Sequence, residues 1–221
     1  MLVVGASRGI GASVAKHFQQ QGDTVYSLSR SPAQAGEWIQ ADVSTDDGIQ
    51  KIAEAIGSKP LDALLYMGGV WEQNAFTKDF DFLASTAEET RFVLGVNLIA
   101  PIEITKALSE NLALADNPRA IYIGSLSGLD NAASPEVANT ASKFGLRGAV
   151  QALRLALKEK RIGFTVINPG NVATEEVLTD IEEGRFSPQM PIPMEDLLSA
   201  ITWILGLSTS VDIGDINLMQ K

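Results

Sequence analysis

Three glycines near the amino terminus have the spacing of a phosphate-binding turn. Gly5, Gly9 and Gly11 follow the apolar run at residues 2–4 and open a segment of helical periodicity. A turn between a buried strand and a helix exposes the first N–H groups and the positive dipole end of that helix, where a phosphate is stabilised if no side chain blocks it. The G-x3-G-x-G spacing differs from the G-x-G-x-x-G fingerprint, and glycine turns can be purely structural. Its position between a strand and an amphipathic helix favours a bound dinucleotide.

The rest of the chain alternates strand-like apolar runs with segments of helical periodicity. Strands are predicted at residues 2–4, 24–28, 41–43, 61–67, 120–124, 164–168 and 215–219. Helices are predicted at residues 10–21, 46–56, 86–115, 142–158 and 195–205, and Pro101 should kink the third of them. Apolar strands separated by helices are typical of a parallel sheet with helices on both faces. The sequence therefore predicts a single α/β domain over residues 1–221, with a Rossmann-type doubly wound sheet.

Composition narrows the classes of partner. The 221 residues include 17 basic and 27 acidic side chains, and the formal charge of -10 opposes non-specific attraction to nucleic acid or anionic lipid. The chain has no cysteine and one histidine, which excludes disulfides and thiolate chemistry and disfavours a histidine-rich metal site. No apolar run is long enough to span a membrane, and the amino terminus does not resemble a signal peptide. We expect a cytoplasmic protein with a small-molecule partner and no metal, nucleic acid or membrane partner.

Four landmarks resemble motifs of the short-chain dehydrogenase/reductase family. Residues 4–11 match its T-G-x-x-x-G-[IL]-G pattern, with valine in place of threonine. The others are Asp42-Val43 after a strand, Asn97 within a helix, and residues 168–174, N-P-G-N-V-A-T, which are similar to the family's P-G-x-V-x-T loop. Each motif alone has a structural alternative, as a cap, a surface residue or a turn. Because all four occur in the family's order, the resemblance implies an NAD(P)-dependent oxidoreductase.

The resemblance also implies which residues contact the cofactor. They are Gly5, Ser7, Arg8, Gly9, Ile10, Gly11, Arg30, Asp42, Val43, Gly68, Lys143, Pro169, Gly170, Val172 and Thr174. Proteins that bind NAD place an acidic residue at the end of the second strand for the ribose 2′-hydroxyl, whereas a 2′-phosphate is met by arginine. This chain has Arg30 there, and Arg8 in the glycine turn could reach the same phosphate. We therefore expect NADP(H) rather than NAD(H), and the alternative is a pair of solvated surface arginines.

The family's catalytic residues are incompletely represented. In the family, a tyrosine exchanges a proton with the substrate oxygen, a lysine four residues later lowers the pKa of that phenol and holds the ribose, and a serine stabilises the oxygen. The resemblance assigns Lys143 and Ser125 to the last two roles and gives Asn97 the support of an active-site water. The tyrosine position is occupied by Asn139, which exchanges no proton near neutral pH. We expect an oxidoreductase of carbonyl or alcohol small molecules with an atypical site in which Asn139 is inactive.

Other side chains could replace the missing phenol. Tyr66 ends a strand near the expected nicotinamide, and Tyr122 lies on the strand before Ser125, although core packing is the alternative for both. His17 falls on the first helix, away from the strand ends. Residues 174–193 coincide with the family's substrate lid, and a charged helix face is the alternative for their carboxylates. Those carboxylates are Glu175, Glu176, Glu182 and Glu183.

A catalytically silent NADP(H)-binding sensor or interaction protein is the second hypothesis, because losing a positioned general acid typically costs about 10² to 10⁴ in rate. Nucleotide occupancy would then alter an interaction surface. The resemblance also implies a homodimer or homotetramer, formed through the helices at 86–115 and 142–158. Small and apolar residues on the second helix suit close helix approach, although they could instead face the sheet. They are Phe144, Gly148, Ala149, Ala152 and Leu155.

Overall fold

A seven-stranded parallel sheet forms the centre of the computed structural model, which describes residues 1–221. The strands are β1 (Leu2–Val4), β2 (Tyr26–Ser29), β3 (Glu37–Gln40), β4 (Ala63–Tyr66), β5 (Arg119–Ile123), β6 (Gly163–Pro169) and β7 (Asp215–Leu218). Their order across the sheet is β3-β2-β1-β4-β5-β6-β7. The winding reverses between β1 and β4, and open α/β sheets bind ligands at such a switch point, beyond the carboxyl ends of the strands.

Eight α-helices accompany the sheet. They are α1 (Gly9–Gln20), α2 (Asp46–Ile56), α3 (Ala87–Leu94), α4 (Ala100–Ala107), α5 (Ser109–Ala113), α6 (Val137–Ala156), α7 (Glu175–Glu182) and α8 (Met194–Leu205). Alternation along β1 sends Leu2 and Val4 into the core shared with α2, α4 and α6, and Val3 into the core shared with α1 and α8. The predicted doubly wound α/β fold is confirmed. None of the helices is long and apolar enough to cross a membrane.

The third strand lies earlier in the chain than the sequence predicts. Residues 41–43 do not form it, and β3 instead pairs Glu37–Gln40 with β2. The Asp42 carboxylate accepts hydrogen bonds from the backbone N–H and the hydroxyl of Ser44, at 2.9 and 2.7 Å. An aspartate that binds the backbone two residues ahead stabilises a turn rather than an extended chain. Asp42 therefore follows the end of β3, at the edge of the sheet where ligands bind.

The helix predicted at residues 86–115 is interrupted rather than continuous. It consists of α3, a π-helical turn at Gly95–Ile99, α4, and the short α5 after a break at Leu108. Pro101 has no N–H to donate, and its ring excludes the carbonyl four residues earlier, so the turn before it widens. Asn97 lies in this wide turn, with its side chain buried.

Helix α6 begins at Val137, five residues before the predicted start at residue 142. The Glu72 carboxylate accepts hydrogen bonds from the backbone N–H groups of Ala138 and Asn139, at 2.7 and 3.2 Å. This acceptor stabilises the positive end of the helix. Because it lies 66 positions from Ala138 in the chain, no local sequence pattern announces it. As a result, Asn139 is helical and lies one turn before Lys143.

The turn after β1 lies against the chain that follows β4, with no side chain between them. Gly5 has a φ of +85°, and a Cβ built on it would be 2.5 Å from the Cα of Gly68. A Cβ on Gly11, in the first turn of α1, would be 2.2 Å from the carbonyl oxygen of Gly5. Only glycine combines a positive φ with such close backbone approach. The switch point of the sheet therefore depends on the absence of these Cβ atoms.

Gly5→Ala should destabilise the protein far more than Gly22→Ala. Gly22 also has a positive φ, +94°, but an added Cβ there has no heavy atom within 4 Å, so only backbone strain of roughly 1 kcal/mol is expected. At position 5 the overlap with Gly68 adds to that strain, and a loss of roughly 3–5 kcal/mol is expected. Urea denaturation of both variants measures the difference. Equal losses would contradict the close approach.

Candidate functional site

A cavity of about 330 Å³ lies at the carboxyl ends of the strands, beside the switch point. It is lined by the glycine turn after β1, the segments that follow β2 to β6, and α6 and α7. Of the residues predicted to form the site, all line this cavity except Gly11 and Asn97. Gly11 lies behind the turn, where it lets α1 approach Gly5. The topology thus gathers into one place residues that are far apart in the sequence.

The amino terminus of α1 faces the cavity without a side-chain cap. Arg8 is the capping residue, its backbone is extended, and its side chain makes no capping hydrogen bond. The first turn also contains no acidic residue. The first N–H groups of a helix have no partner within the helix, so they and the helix dipole favour an anion here. The bare backbone around Gly5 and Gly9 fits the pyrophosphate of a dinucleotide.

Two arginines line the part of the cavity near β2. Arg30 directly follows β2, and its guanidinium lies 5.9 Å from the centre of the Phe92 ring. Arg8 forms an ion pair with Glu176 of α7, with 3.1 Å between Nη1 and Oε1. Partial burial acts to raise the pKa of Asp42, but the hydrogen bonds from Ser44 and the charge of Arg30 outweigh it and hold that pKa below its usual value. Each arginine therefore lies near a carboxylate, Arg8 beside Glu176 and Arg30 close to Asp42.

Lys143 is a buried cation with one hydrogen-bond partner. Its side chain projects from α6 into the cavity wall, and Nζ donates to the carbonyl oxygen of Ile123 at 3.1 Å. The residue is 7% exposed and forms no ion pair with a carboxylate. Burial lowers the pKa of Lys143 from 10.5 to about 8, because desolvation disfavours the charged amine. An ammonium held in this way retains N–H bonds that can be directed at a ligand.

Ser125 follows β5 and presents a hydroxyl to the same cavity. Its Oγ accepts hydrogen bonds from the backbone N–H of Ser127 at 3.2 Å and from the Ser127 hydroxyl at 2.9 Å. Both contacts use Ser125 as an acceptor, so its own proton is free to be donated to a substrate oxygen. Ser127 was not singled out from the sequence. The one sequence feature that could have indicated Ser127 is its position two residues after Ser125, at the end of a predicted strand.

Asn97 holds the loop after β4 against α6. Its Oδ1 accepts from the backbone N–H of Val70 at 2.9 Å, and its Nδ2 donates to the Val70 carbonyl at 2.7 Å and to Ser142 Oγ at 3.1 Å. Both amide protons are therefore used within the protein. A Cβ on Gly69 would lie 3.7 Å from Asn97 Oδ1 and 3.6 Å from Lys143 Nζ, so Asn97 is a close neighbour of the cavity wall.

Two buried carboxylates join the same loop to the start of α6. Glu72, in the loop, binds the N–H groups of Ala138 and Asn139, while Glu136, just before α6, accepts from the N–H of Phe76 at 2.8 Å. The two residues are 3% and 2% exposed. These reciprocal contacts fix the loop above Lys143. Sequence reasoning missed them because each contact spans 60 or more residues.

The two tyrosines considered as substitutes for the missing phenol are bonded elsewhere. The Tyr66 hydroxyl donates to the carbonyl of Val96 at 2.6 Å, and the Tyr122 hydroxyl lies 2.6 Å from the Thr105 hydroxyl. Neither residue is more than 1% exposed, and burial raises the pKa of each phenol well above its usual value. Both side chains therefore belong to the core. His17 lies on α1 beside Thr202 of α8, away from the cavity.

Aromatic and aliphatic side chains form an apolar wall of the same cavity. Trp71 and Phe76 meet edge to face, with ring centres 6.1 Å apart, and they remain 56% and 40% exposed. The other apolar residues in this wall are Val70, Phe92, Val96, Val177 and Phe186. This surface was also missed from the sequence. Its residues come from a loop, α3, the π-helical turn, α7 and the segment after α7, so no period in the sequence relates them.

Lys143→Met should stabilise the folded protein at neutral pH. A folded-state pKa of about 8 against 10.5 disfavours the charged, folded form by roughly 3 kcal/mol below pH 8. That penalty disappears between pH 8 and 10.5, because the folded state loses the proton while the unfolded state still holds it. Denaturation at pH 7 should therefore show a gain of roughly 1–3 kcal/mol, which shrinks towards pH 10.5. The exposed control Lys158→Met should change the unfolding free energy by less than about 0.5 kcal/mol at both pH values.

Comparison with known proteins agrees with this fold. Carbonyl reductase family member 4 of Danio rerio is 28% identical over 233 residues, covering 96% of this chain and 96% of that protein. A short chain dehydrogenase of Shigella flexneri complexed with NADP superposes with a TM-score of 0.82 at 22% identity, covering 99% of this chain and 95% of that one. A 4-hydroxyisoleucine dehydrogenase complexed with NADH superposes with a TM-score of 0.79 at 22% identity, covering 99% and 94%.

The family assignment comes from sequence. The sequence model of the family described as short chain dehydrogenase matches residues 1–183, which include the glycine turn, Ser125, Lys143 and the Pro-Gly loop. The chain belongs to the short-chain dehydrogenase/reductase family of oxidoreductases.

Proposed function

We propose that this protein is an NADP(H)-dependent oxidoreductase that interconverts the carbonyl and alcohol forms of a small molecule at an atypical active site. The observation that carries the proposal is the convergence of Ser125 and Lys143 on a single cavity with the uncapped amino terminus of α1. When bound, the nicotinamide cofactor supplies or accepts the hydride in this chemistry. The chain supplies the binding, the orientation and the polar contacts.

Residues at different positions in the cavity would bind different parts of the cofactor and the substrate. The glycine turn would hold the pyrophosphate, Asp42 and Val43 the adenine end, and the Pro-Gly loop the nicotinamide end, with Lys143 at the ribose. Ser125 would donate a hydrogen bond from its hydroxyl to the substrate oxygen and stabilise charge that develops there. The segment at residues 174–193, which contains α7, would act as the substrate lid. We propose that residues 1–221 form a single domain.

The apolar wall supports an uncharged substrate. Trp71, Phe76 and Phe186 offer ring faces and edges, and the ionisable side chains nearby on α7 are the acidic Glu176 and Asp180. No lysine or arginine other than Arg8, Arg30 and Lys143 lines the cavity. Anionic substrates, whether carboxylates, phosphates or acyl thioesters on charged carriers, would be repelled by these two carboxylates of α7 and by a chain of formal charge -10. A flat, neutral aldehyde, ketone or quinone fits these walls best.

Turnover should follow the substrate's charge and depend on Ser125. Oxidation of NADPH is measured by stopped flow with neutral aromatic aldehydes, ketones and quinones, beside carboxylated analogues of the same ring size. We expect turnover of the neutral compounds only, and Ser125→Ala should lower it about 10² to 10³-fold because a donor to the developing oxyanion is lost. Ser208→Ala, at an exposed serine outside the cavity, is the control. Equal turnover by Ser125→Ala and the wild type would contradict the proposal.

A catalytically silent NADP(H)-binding protein is the second candidate, and Asn139 favours it. This residue lines the cavity one helical turn before Lys143 and carries no exchangeable acid near neutral pH. In that case Lys143 only holds the ribose, and occupancy changes the surface formed by α7 and the following segment. Tight NADPH binding with no turnover of any carbonyl compound would establish this alternative. Activity gained by Asn139→Tyr in such a protein would show that the remaining groups are assembled.

Preference for NADP(H) should depend on Arg30, and the ion pair of Glu176 with Arg8 should weaken NADPH binding. We expect Arg30→Ala to weaken NADPH binding about tenfold or more and to leave NADH binding unchanged, because a charge-assisted contact to the 2′-phosphate is lost. Glu176→Gln releases Arg8 from its exposed ion pair and should strengthen NADPH binding by up to about fivefold. Fluorescence titration with both nucleotides measures these constants. Lys158→Ala, at the opposite edge of the sheet, is the control, and an equal loss for NADH would contradict the assignment.

The outer face of α6 supports self-association. Gly148, Ala152 and Leu155 are exposed, whereas Leu146 and Val150 of the same helix are buried against the sheet. Gly148, Ala152 and Leu155 therefore face away from the sheet, and Phe144 and Ala149 are half-buried. A Cβ on Gly148 would contact no other atom within 4 Å, which leaves room for close approach of a second helix. We propose a homodimer or homotetramer formed through this face.

A further inference from the structure

The proposed function leaves one chemical role without a residue, and this inference rests on that proposed function. A carbonyl that is reduced to an alcohol must take up a proton on its oxygen. Asn139 lines the cavity at the position where the family carries its tyrosine, and its amide cannot supply that proton. Either another side chain of this chain provides it or water does.

Most of the other candidates are committed to contacts elsewhere. Tyr66 and Tyr122 are buried, and their hydroxyls are bonded to Val96 and Thr105. The carboxylates of Glu72 and Glu136 accept backbone N–H groups of the loop and of α6. The remaining ionisable groups in the wall lie towards β2 and α7 and are Arg8, Arg30, Asp42, Glu176 and Asp180.

Lys143 is the ionisable group at the reacting end of the cavity. It projects from α6 one turn after Asn139, and Ser125 lines the same cavity after β5. Its Nζ has one protein acceptor, the Ile123 carbonyl, and no carboxylate holds it by charge. Its other N–H bonds are therefore available to a ligand.

We propose that the Lys143 ammonium is the proton donor to the substrate oxygen in carbonyl reduction, replacing the missing phenol. An Nζ–H bond breaks and an O–H bond forms on the substrate, which leaves Lys143 as a neutral amine that regains a proton from water. The carbonyl carbon receives its hydrogen and two electrons from the reduced nicotinamide of the proposed function. Ser125 donates a second hydrogen bond to the same oxygen. In alcohol oxidation the neutral amine accepts the proton.

The electrostatics of the site suit this role. A general acid works best when its pKa lies near the operating pH, and burial lowers the pKa of Lys143 to about 8. Tyr66 on β4, Tyr122 on β5, and Glu72 and Glu136 beside α6 are buried titratable groups on the elements around it, and Arg119 on β5 and the charged residues of α3 lie on neighbouring elements as well. No carboxylate forms an ion pair with Nζ. An unpaired, desolvated lysine is a common form of activated catalytic amine.

The first test is the pH dependence of the two reaction directions. With saturating NADPH, kcat for carbonyl reduction should be constant below pH 8 and fall tenfold per pH unit above it. With NADP and the alcohol, kcat should rise and reach a plateau above pH 8. NADPH affinity measured at the same pH values distinguishes loss of the proton donor from loss of cofactor binding. A kcat without a break between pH 7 and 9 would assign proton donation to water and overturn the proposal.

The second test is Lys143→Arg, which keeps the positive charge but cannot release a proton near neutral pH. We expect NADPH affinity within about tenfold of the wild type, kcat for reduction lowered about 10² to 10⁴-fold, and no break near pH 8. Lys158→Arg, at an exposed position, should match the wild type throughout. Retention of most of kcat in Lys143→Arg would overturn the proposal. A melting curve confirms that the variant is folded.

A direct titration needs no turnover. In protein labelled with ¹³C at lysine Cε, one resonance should titrate near pH 8, and this resonance should be missing from Lys143→Arg. A wild-type protein with no lysine resonance that titrates below pH 9 would overturn the proposal while leaving the oxidoreductase function intact. Absence of turnover with any carbonyl compound, despite NADPH binding, would instead overturn the proposed function, and this inference with it.

Discussion

The whole site depends on backbone approaching backbone at the sheet's switch point. Gly5 lies directly against Gly68, and Gly11 lies directly against Gly5, with no side chain in either contact. This closeness brings the first turn of α1 beside the ends of β1 and β4 and leaves its N–H groups exposed to the cavity. Any larger residue would push α1 away from the sheet and replace the anion site with a side chain. The resulting positive helix end is a fixed partial charge that can orient the pyrophosphate of a dinucleotide.

A second constraint places the reacting end of the cavity. Helix α6 carries Asn139 and Lys143, and its amino terminus is held by the Glu72 carboxylate from the loop after β4. Asn97 binds both backbone groups of Val70 in that same loop, and Glu136 returns a contact to Phe76. The loop, the π-helical turn and α6 therefore form one unit. Such a unit holds Lys143 in a desolvated position that costs stability, and functional sites commonly carry such a cost.

Much of the architecture was predictable because its signals are local. Strand β1 and helix α2 were predicted at their observed bounds, since an apolar run and a 3.6-residue period identify them without reference to the rest of the chain. The exceptions have identifiable physical causes. Asp42 forms a turn with Ser44 and ends the third strand early, and α6 starts early because its cap comes from Glu72. Each of these depends on a specific contact that composition and period do not encode.

The sequence by itself determined the alternation of strands and helices, the glycine turn, and the set of residues that could bind a dinucleotide, because these follow from spacing along the chain. It also determined that asparagine stands four residues before Lys143. Only the tertiary structure decided that Tyr66 and Tyr122 are committed to the core, that Lys143 is buried without a counter-charge, and that Trp71, Phe76 and Phe186 form a single wall. The physical reason is that burial and hydrogen-bond pairing join residues tens of positions apart, and a side chain's chemistry depends on those partners rather than on its neighbours in the chain.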